Sequence, residues 1–174
     1  VVMNPSKAAL LEIRKILTNA SLLVTHDLKH LMHQLGESFT TPSFDSMIAS
    51  YLLHAGTRVH DLSSVAHKTL GRSLPDIPAG FAKEKDYETF GSIVAALPEI
   101  AQKMREALEQ VSLTKIFDEI EMPLIPVLYK MEQDGIALDS ESLAIFSATL
   151  KTRIDALTVT IHKAAGSEFN INSP

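Results

Sequence analysis

His26, Asp27, His30 and His33 stand close together, and imidazoles and carboxylates so spaced could hold a metal for hydrolysis. The run His26-Asp-Leu-Lys-His30 mimics the zincin pattern His-Glu-x-x-His. In that pattern two imidazoles on one helix face bind zinc and the carboxylate between them acts as general base. Asp27 replaces the required Glu, and His33 one turn further on would have to complete the site. Against a metallohydrolase with His26, His30 and His33 as ligands stands the plainer reading of solvated or core-edge histidines on a helix. His60-Asp61 invites a similar comparison with metal-dependent phosphohydrolases, and Asp45 after Phe44 could be an acid. Both aspartates also sit where helices need N-caps, and capping is the expected role. The absence of cysteine excludes disulfides, thiolate zinc sites and cysteine nucleophiles.

The elements that would position these groups follow from apolar spacing. The 174 residues, 45% hydrophobic and 21% charged, suffice for one ordinary domain or two small ones. Ala9, Leu10, Ile13, Ile16 and Leu17 give a 3.6-residue period over Pro5 to Thr18, with Asn4 or Ser6 as caps. Ser21 to Thr25 predicts a short buried strand, and a helix from Leu28 to Leu35 should stop at Gly36. A loop through Thr40, Thr41 and Pro42 then leads to a helix beginning near Ser46 and reaching Leu53. Asp61 should cap a helix from Leu62 to Leu70 that stops at Gly71, and Arg72 to Lys85, rich in Pro, Gly and charge, reads as a loop.

Beyond Tyr87 strand signals disappear. Ile93 to Phe117 predicts helix interrupted near Pro98, and Pro123 and Pro126 predict a kinked or restarted helix ending at Asp134-Gly135. Ser140 and Glu141 open a long helix whose apolar face comprises Leu143, Ile145, Phe146, Leu150, Ile154, Leu157 and Ile161, with Gly166 as C-cap. The fold class expected is α/β and helix-rich, with a boundary near Val111 to Phe117. No apolar run approaches the roughly 20 residues of a membrane span, and the N-terminus lacks a secretory signal, so a cytoplasmic location and no membrane partner are expected. A net charge of -5 argues against a wholly basic nucleic-acid clamp but leaves room for local phosphate contacts.

Two segments carry a resemblance. Ile116-Phe-Asp-Glu-Ile-Glu-Met-Pro-Leu-Ile-Pro-Val-Leu, followed by Met131-Glu-Gln-Asp-Gly-Ile-Ala-Leu-Asp, resembles the junction between exonuclease and polymerase domains in the bacterial DNA polymerase I family (family A). Ala165-Gly-Ser-Glu-Phe-Asn-Ile-Asn-Ser-Pro is similar to the family's motif after the first thumb helix. Upstream, Phe44-Asp-Ser-Met-Ile-Ala-Ser-Tyr-Leu-Leu and His60-Asp-Leu-Ser-Ser-Val-Ala look like the family's 3'-5' exonuclease domain. The resemblance implies an RNase H-like exonuclease segment over residues 1–110. It also implies the mostly α-helical start of a polymerase domain, with its first thumb helix, over 111–174.

Family exonucleases hold two divalent metals on clustered carboxylates. No Asp-x-Glu pair precedes the predicted strand. The Asn-x-x-x-Asp motif falls on Asp27 and Leu31, and the Tyr-x-x-x-Asp motif on Tyr87 and Gly91. The resemblance therefore implies a degenerate exonuclease-like scaffold with no catalytic residue, metal or cofactor in this chain. Mg2+ would be expected only for the intact polymerase. The implied partners are primer-template DNA and the remainder of the polymerase chain. Asn170, Asn172 and Ser173 are the phosphate-contact candidates, with an Asx-type turn as their alternative. Lys151, Arg153 and Lys163 could also neutralise phosphates or form a solvated face. The chain alone is expected neither to polymerise DNA nor to trim it, and a non-catalytic DNA-binding module is the rival reading.

Overall fold

The computed structural model describes residues 7–38, 41–75 and 86–171. Contacts divide the chain into two compact units, Val1–Asp134 and Gly135–Pro174. The predicted boundary region, Val111 to Phe117, falls inside the first of these, where Phe117 is fully buried.

The first unit begins with α1 (Lys7–Asn19), β1 (Leu23–Thr25), α2 (Leu28–Leu35) and β2 (Ser43–Asp45). β1 and β2 pair in parallel, Leu23 opposite Ser43 and Thr25 opposite Asp45, so α2 is the crossover that parallel strands require. Gly36 ends α2 in the left-handed conformation at φ 68°, where its N–H reaches the Met32 carbonyl. Alternation along β1 assigns its side chains to two cores. Val24 packs with Phe44 against α3 (Ser46–Leu53), α4 (Leu62–Leu70) and α5 (Tyr87–Gln110). Leu23 packs with Leu28, Met32 and Leu35 against Ile125 and Tyr129 of α7 (Met122–Asp134). Helices thus cover both faces of the strand pair, as a parallel sheet demands.

β2 is an element the sequence reading did not find. Its three residues, which follow Pro42 and end on the helix cap Asp45, are too short to show a period, and they become a strand only by pairing with β1. The expected interruption at Pro98 is not there: α5 runs unbroken through it. A proline inside a helix costs about 3 kcal/mol. Ile93, Ala96, Ile100, Ala101, Met104 and Leu108 form one buried face on both sides of it. Full burial of each large aliphatic contributes roughly 1.5–3 kcal/mol, so that face outweighs the defect. Pro98 is itself exposed, as is Val94, whose carbonyl loses its partner on the side open to water.

The expected restart near Pro123 is present. After Ser112 turns the chain at φ 60°, α6 (Thr114–Ile116) opens into a π-helical turn, Phe117–Glu121, before α7 begins. The Met122 N–H donates to the Phe117 carbonyl, so the widened turn lies immediately ahead of Pro123, which has no N–H to give. Pro126 lies within α7.

The second unit contains α8 (Ser140–Ala165), preceded by Gly135 at φ 67° and stopped by Gly166 at φ 75°. The helix opens at Ser140 as expected, and Asp139 is its N-cap, accepting the Ser142 N–H at 2.9 Å and the Ser142 hydroxyl at 2.7 Å. The predicted apolar residues form the helix but none is buried. Phe146 is 60% and Leu150 41% exposed, because the described part of this unit supplies no second layer.

Truncating the buried ring where α6 meets the π turn tests the first core. Phe117→Ala should cost about 3–5 kcal/mol in urea unfolding. Ile145→Ala, on exposed α8, should stay within about 0.5 kcal/mol.

Candidate functional site

The chemistry-bearing residues gather where β1 and β2 end. Asp45 caps α3 and is 1% exposed. One carboxylate oxygen accepts the Met47 N–H at 2.8 Å and the Asp27 N–H at 3.1 Å; the other accepts the Leu28 N–H at 2.6 Å. A single buried carboxylate thereby satisfies the N-termini of two helices, α3 locally and α2 across the strand pair. Asp27, left-handed at φ 65°, caps α2 by accepting the His30 N–H at 3.0 Å. Short polar residues such as Asp tolerate that conformation, which turns the chain sharply from β1 into α2.

His26 lies beside this junction, its Nδ1 2.9 Å from the Ser46 hydroxyl, which donates to the Thr25 carbonyl at 3.1 Å. Burial holds the His26 imidazole below its ordinary pKa, against the weaker raising pull of Asp45, Asp27 and Asp61. Ser50, one turn along α3, is 2.9 Å from His60 Nδ1, and the other ring nitrogen is 3.1 Å from the Thr57 carbonyl. A serine beside a histidine can signal an activated nucleophile. Ser46 is 0% and Ser50 1% exposed, so no substrate reaches either oxygen, and both pairs are internal fastenings.

His30 and His33 have other partners. His33 Nε2 is 2.6 Å from Glu132, which also takes Lys29 at 2.5 Å, and the His33 ring meets Tyr129 edge-on at 4.9 Å. Hydrogen bonds from Lys29 and then His33 hold the Glu132 carboxyl below its usual value. His30 contacts Gln34. His26 precedes α2, so it does not share a helix face with His30 as the zincin pattern requires. Among the described residues no three His, Asp or Glu side chains converge as a metal site, and the reading of His26, His30 and His33 as ligands has no ligand set.

No family model matches the chain. It is 34% identical to DNA polymerase I of Pseudomonas aeruginosa, over 76% of this chain and 16% of that protein. DNA polymerase I of Caldicellulosiruptor bescii is 30% identical over 93% of the chain, and that of Rhizobium leguminosarum 31% over 98%. The chain belongs to the DNA polymerase I family. It spans between 16% and 18% of the length of these relatives. Its fold is similar to that of the POL domain of Pol1 from M. smegmatis, solved in complex with DNA primer-template and dNTP. That likeness has a TM-score of 0.73 at 21% identity and covers 98% of this chain and 29% of that one.

At the positions that the motif resemblance would give to exonuclease ligands, Asp27 is a helix cap and Leu31 packs at the margin of the α2–α7 core. Tyr87, 55% exposed, opens α5, and Gly91 follows in the same helix, facing open space. Asp61 caps α4 by accepting from the Ser64 N–H and hydroxyl, which keep its carboxyl below the usual range.

Of the residues expected to contact DNA, Lys151, Arg153 and Lys163 are exposed on α8. At about 100° per residue, Arg153 points roughly 200° away from Lys151, so the three share no single stripe. Asn170 follows the Gly166 cap, beside a fastening that sequence reasoning missed. His162 Nε2 is 2.9 Å from the Phe169 carbonyl, and the two rings meet at 5.3 Å. Asn172 and Ser173 lie outside the described residues.

Asp45→Ala should cost about 3 kcal/mol or more in urea unfolding, because it strands the buried N–H groups of both helix ends. A buried imidazole with a lowered pKa stabilises fully above its unfolded value, near 6.5. That stability is lost as pH falls from there toward the folded value. His26→Gln should therefore flatten this part of the pH–stability curve, measured by urea midpoints between about pH 8 and pH 5.

Proposed function

We propose that this chain is the junction segment of a DNA polymerase I. In this reading a catalytically silent, RNase H-like exonuclease segment over residues 1–110 leads into the opening helices and first thumb helix of a polymerase domain over 111–174. The segment serves as scaffold and DNA contact within a cytoplasmic enzyme of DNA replication and repair. One observation carries the reading: the chain is related to DNA polymerase I over nearly its whole length. Leu31 and Gly91, non-acidic at positions the motif resemblance would give to metal-binding carboxylates, support its silent part. The parallel β1–α2–β2 unit with helices on both faces supports the α/β assignment.

The two-metal chemistry of an intact polymerase or exonuclease needs converging oxygen ligands. The described residues do not fit it: Asp45 is committed to backbone N–H groups, and Asp27 and Asp61 are helix caps. No helix among the described residues is long and apolar enough to cross a membrane.

Incubation with end-labelled single-stranded DNA and Mg2+ or Mn2+ should leave the 3' end intact. Robust metal-dependent trimming would overturn the silent-scaffold reading.

A second reading, a non-catalytic DNA-binding module, is favoured by one hollow in the first unit. Met47, Ile48, Tyr51, Arg58, His60 and Asp61 line a space of about 360 Å³. Tyr51 is half exposed and set edge-on to His60, and Arg58 has no ion-pair partner among the described residues. An aromatic face beside a free cation suits single-stranded nucleic acid, where each stacked base contributes roughly 1–3 kcal/mol. The two readings separate in one fluorescence-anisotropy experiment. Loss of duplex primer-template binding in Asn170→Ala/Asn172→Ala, with Tyr51→Ala/Arg58→Ala unaffected, is the outcome expected of the junction segment. Roughly tenfold weaker single-strand binding in Tyr51→Ala/Arg58→Ala alone would favour the binding module.

A further inference from the structure

No further inference is drawn: the strongest candidate, the exposed apolar stripe of Leu143, Phe146, Leu150, Ile154, Leu157 and Ile161 along α8, carries nothing because nothing in the structure shows what covers it.

Discussion

The first unit depends on the buried carboxylate of Asp45. Helix ends leave backbone N–H groups without partners, and burying such groups unpaired costs about 1–3 kcal/mol each. Here two helices begin within a few residues of the ends of two adjacent parallel strands, and Asp45 accepts from both. The parallel register makes this possible, since pairing Thr25 with Asp45 brings the Asp27–Leu28 backbone within reach of the carboxylate. His26 and Ser46 extend the same fastening, tying the residue after β1 to the first residue of α3.

From that junction the layers follow. The strand pair separates one core built on Phe44, Ile100 and Phe117 from another built on Met32, Ile125 and Tyr129, while Ile48 and Met122 border both. Phe44 and Phe117 meet at 5.0 Å, and the Arg105 guanidinium lies 5.3 Å from each ring while holding Asp118 through two hydrogen bonds. Arg105 therefore joins α5 to the stretch where the backbone widens into a π turn ahead of α7. Its partly exposed ion pair contributes modestly, and packing over the two rings adds to it.

The same economy explains why polar groups that look chemical in the sequence are spent on architecture. Asp27, Asp45, Asp61 and Asp139 each end as a helix cap. His26 and His60 are each held by a serine of α3, and His33 fastens α2 to α7 through Glu132. An exposed carboxylate in a cleft could serve a substrate; one whose lone pairs are filled by backbone N–H groups has little left to offer a metal.

Local rules made much of this legible in the sequence. The limits of α2 and α4, the caps Asp45 and Asp61, the stops at Gly36, Gly71 and Gly166, and the break before Pro123 all depend on contacts a few residues apart. The junction-like run from Ile116 to Asp139 likewise marked a family that the relatives bear out. What stayed hidden needed partners far along the chain. β2 is a strand only beside β1, α5 passes Pro98 because distant side chains bury its apolar face, and the second task of Asp45 involves N–H groups 17 and 18 residues away. Side-chain type and short spacing determine caps, stops and periods, because those interactions close within a helical turn. Which carboxylate is buried, which histidine meets which partner and which apolar face is covered are decided only when separate elements pack, because burial is a property of the assembled layers.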